Sequence, residues 1–145
     1  MPSLYTEIEI NAPKPVVWEA LIHKEKWLYW NTFLYDRNPR KPFTQGRKVH
    51  LSLRRVREES ETEFEPHITL LQPETCLRWV YTAPGFRSES VFQLQQIDRQ
   101  RTKYIHQENL SGAVTHVFLL FLRQDEQQGL RRMARELKQY VEGFR

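Results

Sequence analysis

His106 and Glu108 are the pair with chemistry in them. From Thr102 to Leu110 the chain alternates, and Tyr104, His106, Glu108 and Leu110 share one side of a strand whose other members are large and apolar. Residues two apart on a strand point the same way, with Cα atoms about 6.5–7 Å apart. An imidazole and a carboxyl in an apolar wall offer one acceptor and one switchable donor. That suits a hydroxyl or carbonyl on an otherwise greasy molecule. Burial raises a carboxyl pKa and lowers an imidazole pKa, whereas a salt bridge between the two does the reverse. The alternative is a scaffold role, in which each is paired with the other, with an arginine or with a backbone group.

Other chemistries lack their residues. His23, His50, His67 and His116 show no His-x-x-x-His spacing, and a single cysteine cannot build a thiolate site, so no metal is expected. Cys76 falls on the outward side of its strand with nothing to lower its pKa, which removes it as a nucleophile. There is no Gly-x-Ser-x-Gly elbow, phosphate loop or dinucleotide glycine fingerprint, and no cofactor is expected.

The elements that must position the pair follow in order. Leu4 to Ile10 alternates as a half-buried strand. Asn11-Ala-Pro-Lys-Pro15 breaks it, and Pro15 suits the first turn of a helix carrying Val16, Val17, Ala20 and Leu21. Lys24 to Trp30 forms a second short helix, and Asp36 to Gly46 a loop. Strands are expected over Lys48–Val56 (Val49, Leu51, Leu53 on one side) and Glu63–Leu71 (Phe64, Ile68, Leu70 inward). In the latter, Pro66 marks an edge or bulge. Arg57 to Glu61 is a charged turn between them. Two more run over Thr75–Thr82 (Leu77, Trp79, Tyr81) and Glu89–Ile97 (Ser90, Phe92, Leu94), then Thr102–Leu110. A helix from about Val114 to Glu142, roughly 40 Å long, closes the chain. Its second half sets Leu130, Met133, Ala134, Leu137, Tyr140 and Val141 on one face, with Arg131, Arg132, Arg135, Lys138 and Gln139 on the wet side. Its first part, Ala113 to Leu122, is apolar nearly all round and is expected to be covered.

With 145 residues and 28% charged side chains, the chain fits one globular α+β domain over 1–145. The net charge of +4 is spread over Arg37/Arg40/Lys41, Arg54/Arg55/Arg57, Arg99/Arg101 and Arg131/Arg132/Arg135 among 18 acidic residues, so no nucleic-acid partner is expected. The longest apolar run, Val117 to Leu122, is too short for a bilayer, so no stable membrane insertion is expected. The opening Met-Pro-Ser-Leu-Tyr-Thr-Glu lacks a signal-peptide layout and Cys76 is alone, which point to the cytoplasm.

Several motifs together resemble one superfamily. Ile10-Asn-Ala-Pro-Lys-Pro-Val-Val-Trp18 is similar to the opening of SRPBCC (START-like) proteins, and Trp30-Asn31 with Phe33 to their Trp-Asn-Pro-Phe element, Thr32 standing for the proline. Leu77-Arg-Trp79, Pro84-Gly-Phe86 and Phe92-Gln-Leu94 resemble spaced motifs of the polyketide cyclase/dehydrase-like branch. So does Thr102-Lys-Tyr-Ile-His106-Gln-Glu108-Asn-Leu110-Ser-Gly112, and Gly129-Leu-Arg-Arg-Met133 with Leu137-Lys138 resembles that branch's last helix. The resemblance implies a helix-grip fold, a curved antiparallel sheet of about six or seven strands around the long C-terminal helix. It also implies a cavity for a hydrophobic small molecule such as a lipid or polyketide. The expected lining is Trp30, Leu77, Trp79, Tyr81, Ser90, Phe92, Tyr104, His106, Glu108, Phe118, Phe121 and Met133. A cyclase or aromatase using His106, Glu108 and Tyr104 is the second reading, and a protein-interaction or chaperone-activator module the third.

Overall fold

The computed structural model describes residues 3–56 and 58–143; Arg57, within the expected charged turn, lies outside them. β1 (Ser3–Ile10) pairs with β8 (Arg101–Ser111), and the sheet continues through β7 (Phe86–Asp98) and β6 (Cys76–Ala83) to β5 (His67–Gln72), all antiparallel. A second antiparallel sheet holds β2 (Leu34–Asp36), β3 (Leu51–Leu53) and β4 (Thr62–Phe64). The two are stitched by the Gly46–Val49 stretch, which runs along β5. Gly46 N–H donates to the Ile68 carbonyl (2.7 Å), Ile68 N–H to Arg47 (2.9 Å) and Val49 N–H to Pro66 (3.1 Å). Between β1 and β2 lie α1 (Lys14–Ile22), opened by Pro13 and Pro15, and a 3₁₀ helix (Lys24–Tyr29). Trp27 is locked there by its indole N–H on the Leu21 carbonyl (3.0 Å).

α2 (Thr115–Glu142) is one continuous helix gripped by the main sheet. Leu130, Met133, Ala134, Leu137 and Val141 are buried along it, as the spacing predicts. Gly129 is there for room. A Cβ at this position would lie 2.4 Å from the Phe33 ring, so the glycine lets the aromatic sit against the helix backbone. Asn31 holds Phe33 in place, its Oδ1 accepting from the N–H groups of Phe33 (3.0 Å) and Leu34 (2.9 Å).

Five details differ from the expectation. The first turns of α2 are covered on one side only, where Thr115 is buried and Phe118 and Leu119 pack on the core. Leu120 is 76% and Phe121 72% exposed, with Val117 also in solvent. Phe118 of the same turns packs on Phe86 (5.5 Å between ring centroids), so the exposed residues lie on the side of the helix that faces away from the sheet. Arg132 is not on a free wet face. Its guanidinium donates to Thr32 Oγ1 (2.9 Å) and to the carbonyls of Arg55 (3.0 Å), Arg54 (2.8 Å) and Thr32 (3.2 Å). Pro66 splits the expected Glu63–Leu71 strand between the two sheets. Within β5 the register then shifts between Ile68 and Leu70, so Leu71 sits opposite Leu77 and packs on the core in place of Leu70. Cys76 keeps the outward side of its strand but is buried there, between Gln72 and Gln93 on the adjacent strands. Burial pushes its thiol pKa up, so it stays unsuited to nucleophilic work.

Candidate functional site

Registers across β6, β7 and β8 set the inward side chains in rows. Trp79, Ser90 and Glu108 form one row; Leu77, Phe92 and His106 the next; Tyr81, Ser88 and Leu110 a third. Ser88 and Ser90 are the small members, each between larger groups on both sides. Space opens above them, bounded by the second sheet and the first half of α2. The resulting cavity has a volume of about 100 Å³ and is lined by Trp79, Tyr81, Phe86, Ser88, Ser90, His106 and Glu108 from the main sheet. Phe33, Leu34, Leu53, Arg55, Thr62, Glu63 and Phe64 come from around the second sheet, and Phe118 and Glu126 from α2. Glu63, largely exposed and paired with His50 (2.6 Å), stands at the rim.

Of the twelve residues expected to line a site, Trp79, Tyr81, Ser90, His106, Glu108 and Phe118 surround this space. Leu77, Phe92, Tyr104 and Met133 are buried in the core, and Trp30 is buried near the C-terminal end of α2, stacked on Tyr140 (6.0 Å). Phe121 is exposed to solvent. Trp79 is the hub of the wall, with ring centroids of Phe92 at 4.7 Å, Phe43 at 5.8 Å and Phe64 at 6.5 Å.

The polar end is built from three elements. Glu108 (7% exposed) shares a hydrogen bond with Glu126 (3% exposed) on α2, rather than pairing with His106. Burial, and then the neighbouring Glu126 charge, hold the Glu108 carboxyl well above the usual range, so it keeps its proton and donates it. Arg55, on the segment after β3, donates from Nε to Glu126 Oε1 (2.8 Å) and from Nη1 to Glu59 Oε1 (2.9 Å). Its Cζ lies 5.6 Å from the centre of the Phe118 ring.

His106 is buried with its ring centroid 4.1 Å from that of Phe92, and its Nδ1 has no hydrogen-bond partner among the described residues. Burial lowers its pKa to about 3, so the imidazole is neutral. Tyr104 is equally buried, its hydroxyl without a partner among the described residues and its pKa pushed up by burial. It lies behind His106, not on the cavity surface.

Glu126 and Arg55 were not among the expected site residues, yet both carry a signal. Glu126 is in phase with Leu130, Met133 and Leu137, and Arg55 with Val49, Leu51 and Leu53. A charge in step with an apolar stripe is the mark of a buried polar site. Elsewhere the basic residues are partly neutralised: Arg101 by Asp98 (2.8 Å) and Arg54 and Arg37 by Glu61 (3.6 Å each). Among the described residues no group of three His, Cys, Asp or Glu side chains is placed to hold a metal ion, and no helix is long and apolar enough to cross a membrane.

No protein-family model matches the chain, and no curated protein matches it by sequence. Solved structures do match in shape. A START superfamily protein from Mycobacterium smegmatis superposes with a TM-score of 0.73 at 12% identity, covering 99% of both chains. A protein from Arthrobacter aurescens gives 0.74 at 13%, covering 97% of this chain and 86% of its own. A norcoclaurine synthase mutant from Thalictrum, solved with a transition-state analogue, gives 0.69 at 14%, covering 99% and 95%. With its antiparallel sheet wrapped on one long C-terminal helix, the chain has the START-like, helix-grip fold.

Proposed function

We propose that the protein binds a small, mainly apolar molecule in the cavity between sheet and helix, its polar group facing Glu108, Glu126 and His106. The observation that carries this reading is the buried carboxyl pair set at one end of an aromatic-walled space. A solid core would gain nothing from keeping two glutamates and an unpartnered imidazole at its centre, because such groups are costly to bury. The volume of about 100 Å³ limits the occupant. Clefts that enclose drug-sized molecules run to roughly 300–1,000 Å³, and a cavity of about 150 Å³ holds benzene. At about two thirds of the latter volume, this space takes one ring with a short polar arm only where part of the ring stands in the open rim beside Glu63, and it takes neither a lipid chain nor a multi-ring polyketide.

A thermal-shift series tests it. Single-ring alcohols and ketones raise the melting temperature in a concentration-dependent way, as ligands of the native state do. Long-chain fatty acids and fused-ring compounds give no shift. A series in which the largest compounds stabilise most would overturn the size assignment. The cyclase-like reading draws on one feature, the proton held by Glu108 against the cavity, which is what a general acid needs. Turnover of a bound ketone that is lost in Glu108→Gln would favour it over simple binding.

A further inference from the structure

The lining is short of positive charge. One arginine, Arg55, faces three glutamates, Glu63, Glu108 and Glu126. Arg55 is already committed, with Nε on Glu126 and Nη1 on Glu59. The remaining polar groups nearest the pair are rich in acceptors. His106 is a neutral imidazole, which always keeps one bare nitrogen, and Ser90 stands beside Glu108 in the same row. The walls are aromatic, and one of them already carries a cation, since the Arg55 guanidinium lies over the Phe118 ring at 5.6 Å. A site with surplus acceptors, a carboxyl that turns negative on giving up its proton, and aromatic faces is matched by a ligand with N–H donors and a positive charge.

We propose that the cavity takes a small organic amine, its protonated nitrogen seated between Glu108 and Glu126 and its apolar body against Trp79, Phe64 and Phe118. This rests on the cavity being a binding site at all, and adds the chemical class of the ligand. The groups facing Glu108 are Glu126 from α2, Arg55 with Glu59 behind it from the segment after β3, His106 on its own strand, Tyr81 from β6, and Glu63 at the rim. Only Glu108 holds an exchangeable proton that a cation makes redundant. When the ammonium arrives, the Glu108 proton passes to solvent and the new N–H groups take over its hydrogen bond to Glu126. Charge is conserved: one cation enters and one proton leaves.

The test is calorimetric titration of the intact protein with benzylamine, benzyl alcohol and benzoate, three single rings with different head groups. Each is run at neutral pH in two buffers of different protonation enthalpy. Benzylamine is expected to bind about tenfold or more tighter than benzyl alcohol, because the hydrogen bonds gained are charge-assisted. Benzoate binds weakest, and benzylamine alone releases about one proton per site. Glu108→Gln abolishes the proton release and narrows the amine-to-alcohol ratio. Benzyl alcohol binding as well as benzylamine, or benzylamine binding with no proton released, overturns the amine assignment and leaves the cavity standing. Binding of none of the three overturns the cavity reading and the amine assignment with it. Should Glu108→Gln fail to fold, the wild-type ratio and proton count decide the matter alone.

Discussion

At the scale of single residues, Glu108 and His106 pull stability in opposite directions along the pH axis. The Glu108 pKa is raised on folding, from an ordinary 4.5. Its contribution is therefore fully present below pH 4.5 and is lost as pH rises toward the folded value. Glu108→Gln keeps a donor for Glu126 without the titration. Its melting temperature relative to wild type should climb steadily as pH is raised above 4.5, and a difference that stays flat contradicts the buried, protonated carboxyl. His106 is lowered from 6.5 to about 3. Its contribution is present above pH 6.5 and is lost as pH falls toward 3. His106→Phe should therefore resist acid better than wild type across that window, as read by melts at closely spaced pH values. Both residues were legible in the sequence because they break the apolar pattern of one strand face. Glu126 and Arg55 break their own patterns just as clearly. Neither stands out on that ground alone, because charges on a long helix or near a turn are usually solvated, and only the packing of α2 against β8 brings them together.

At the scale of elements, α2 decides the fold. Leu137→Ala removes a fully buried side chain and should cost about 2–5 kcal/mol in denaturant melts. Arg132→Ala breaks four hydrogen bonds that tie the helix to Thr32 and to the backbone at Arg54 and Arg55. It should cost about 1–2 kcal/mol, while exposed Arg131→Ala stays near neutral. Equal melts for Arg132→Ala and Arg131→Ala would remove the clamp from the account. Gly129→Ala gives the sign test for close packing. Helix propensity favours alanine by about 1 kcal/mol, but the new methyl meets the Phe33 ring. Overpacking of about 1–3 kcal/mol should win, giving a net loss of stability. The apolar phase of α2 was readable from spacing alone. The exposure of Val117, Leu120 and Phe121 was not, since a stretch that is apolar nearly all round carries no phase to show which side faces the sheet. The register shift after Ile68 was equally hidden, because Leu70 and Leu71 are chemically the same and only pairing with β6 chooses between them.

At the scale of the whole molecule, sheet and helix enclose a space that the side chains do not fill. The gap exists because Ser88 and Ser90 stand where the neighbouring rows carry larger groups, and because Gly129 lets Phe33 close one side without filling the centre. The run of strands and the long last helix were visible in the succession of alternating segments, and the antiparallel wrap was what the family resemblance implied. The size of the cavity was not, as volume is a difference between shapes that no spacing encodes. Phe121→Ser, on the exposed side of α2 and outside the cavity lining, should leave ligand affinity unchanged. The most direct test of the central claim is calorimetric titration of benzyl alcohol into wild type and Ser90→Phe side by side. The added ring occupies the cavity between Trp79 and Glu108. Saturable binding to wild type, abolished in a Ser90→Phe protein that still melts cooperatively, is the predicted result. Binding of equal strength to both would place the ligand elsewhere and contradict the account.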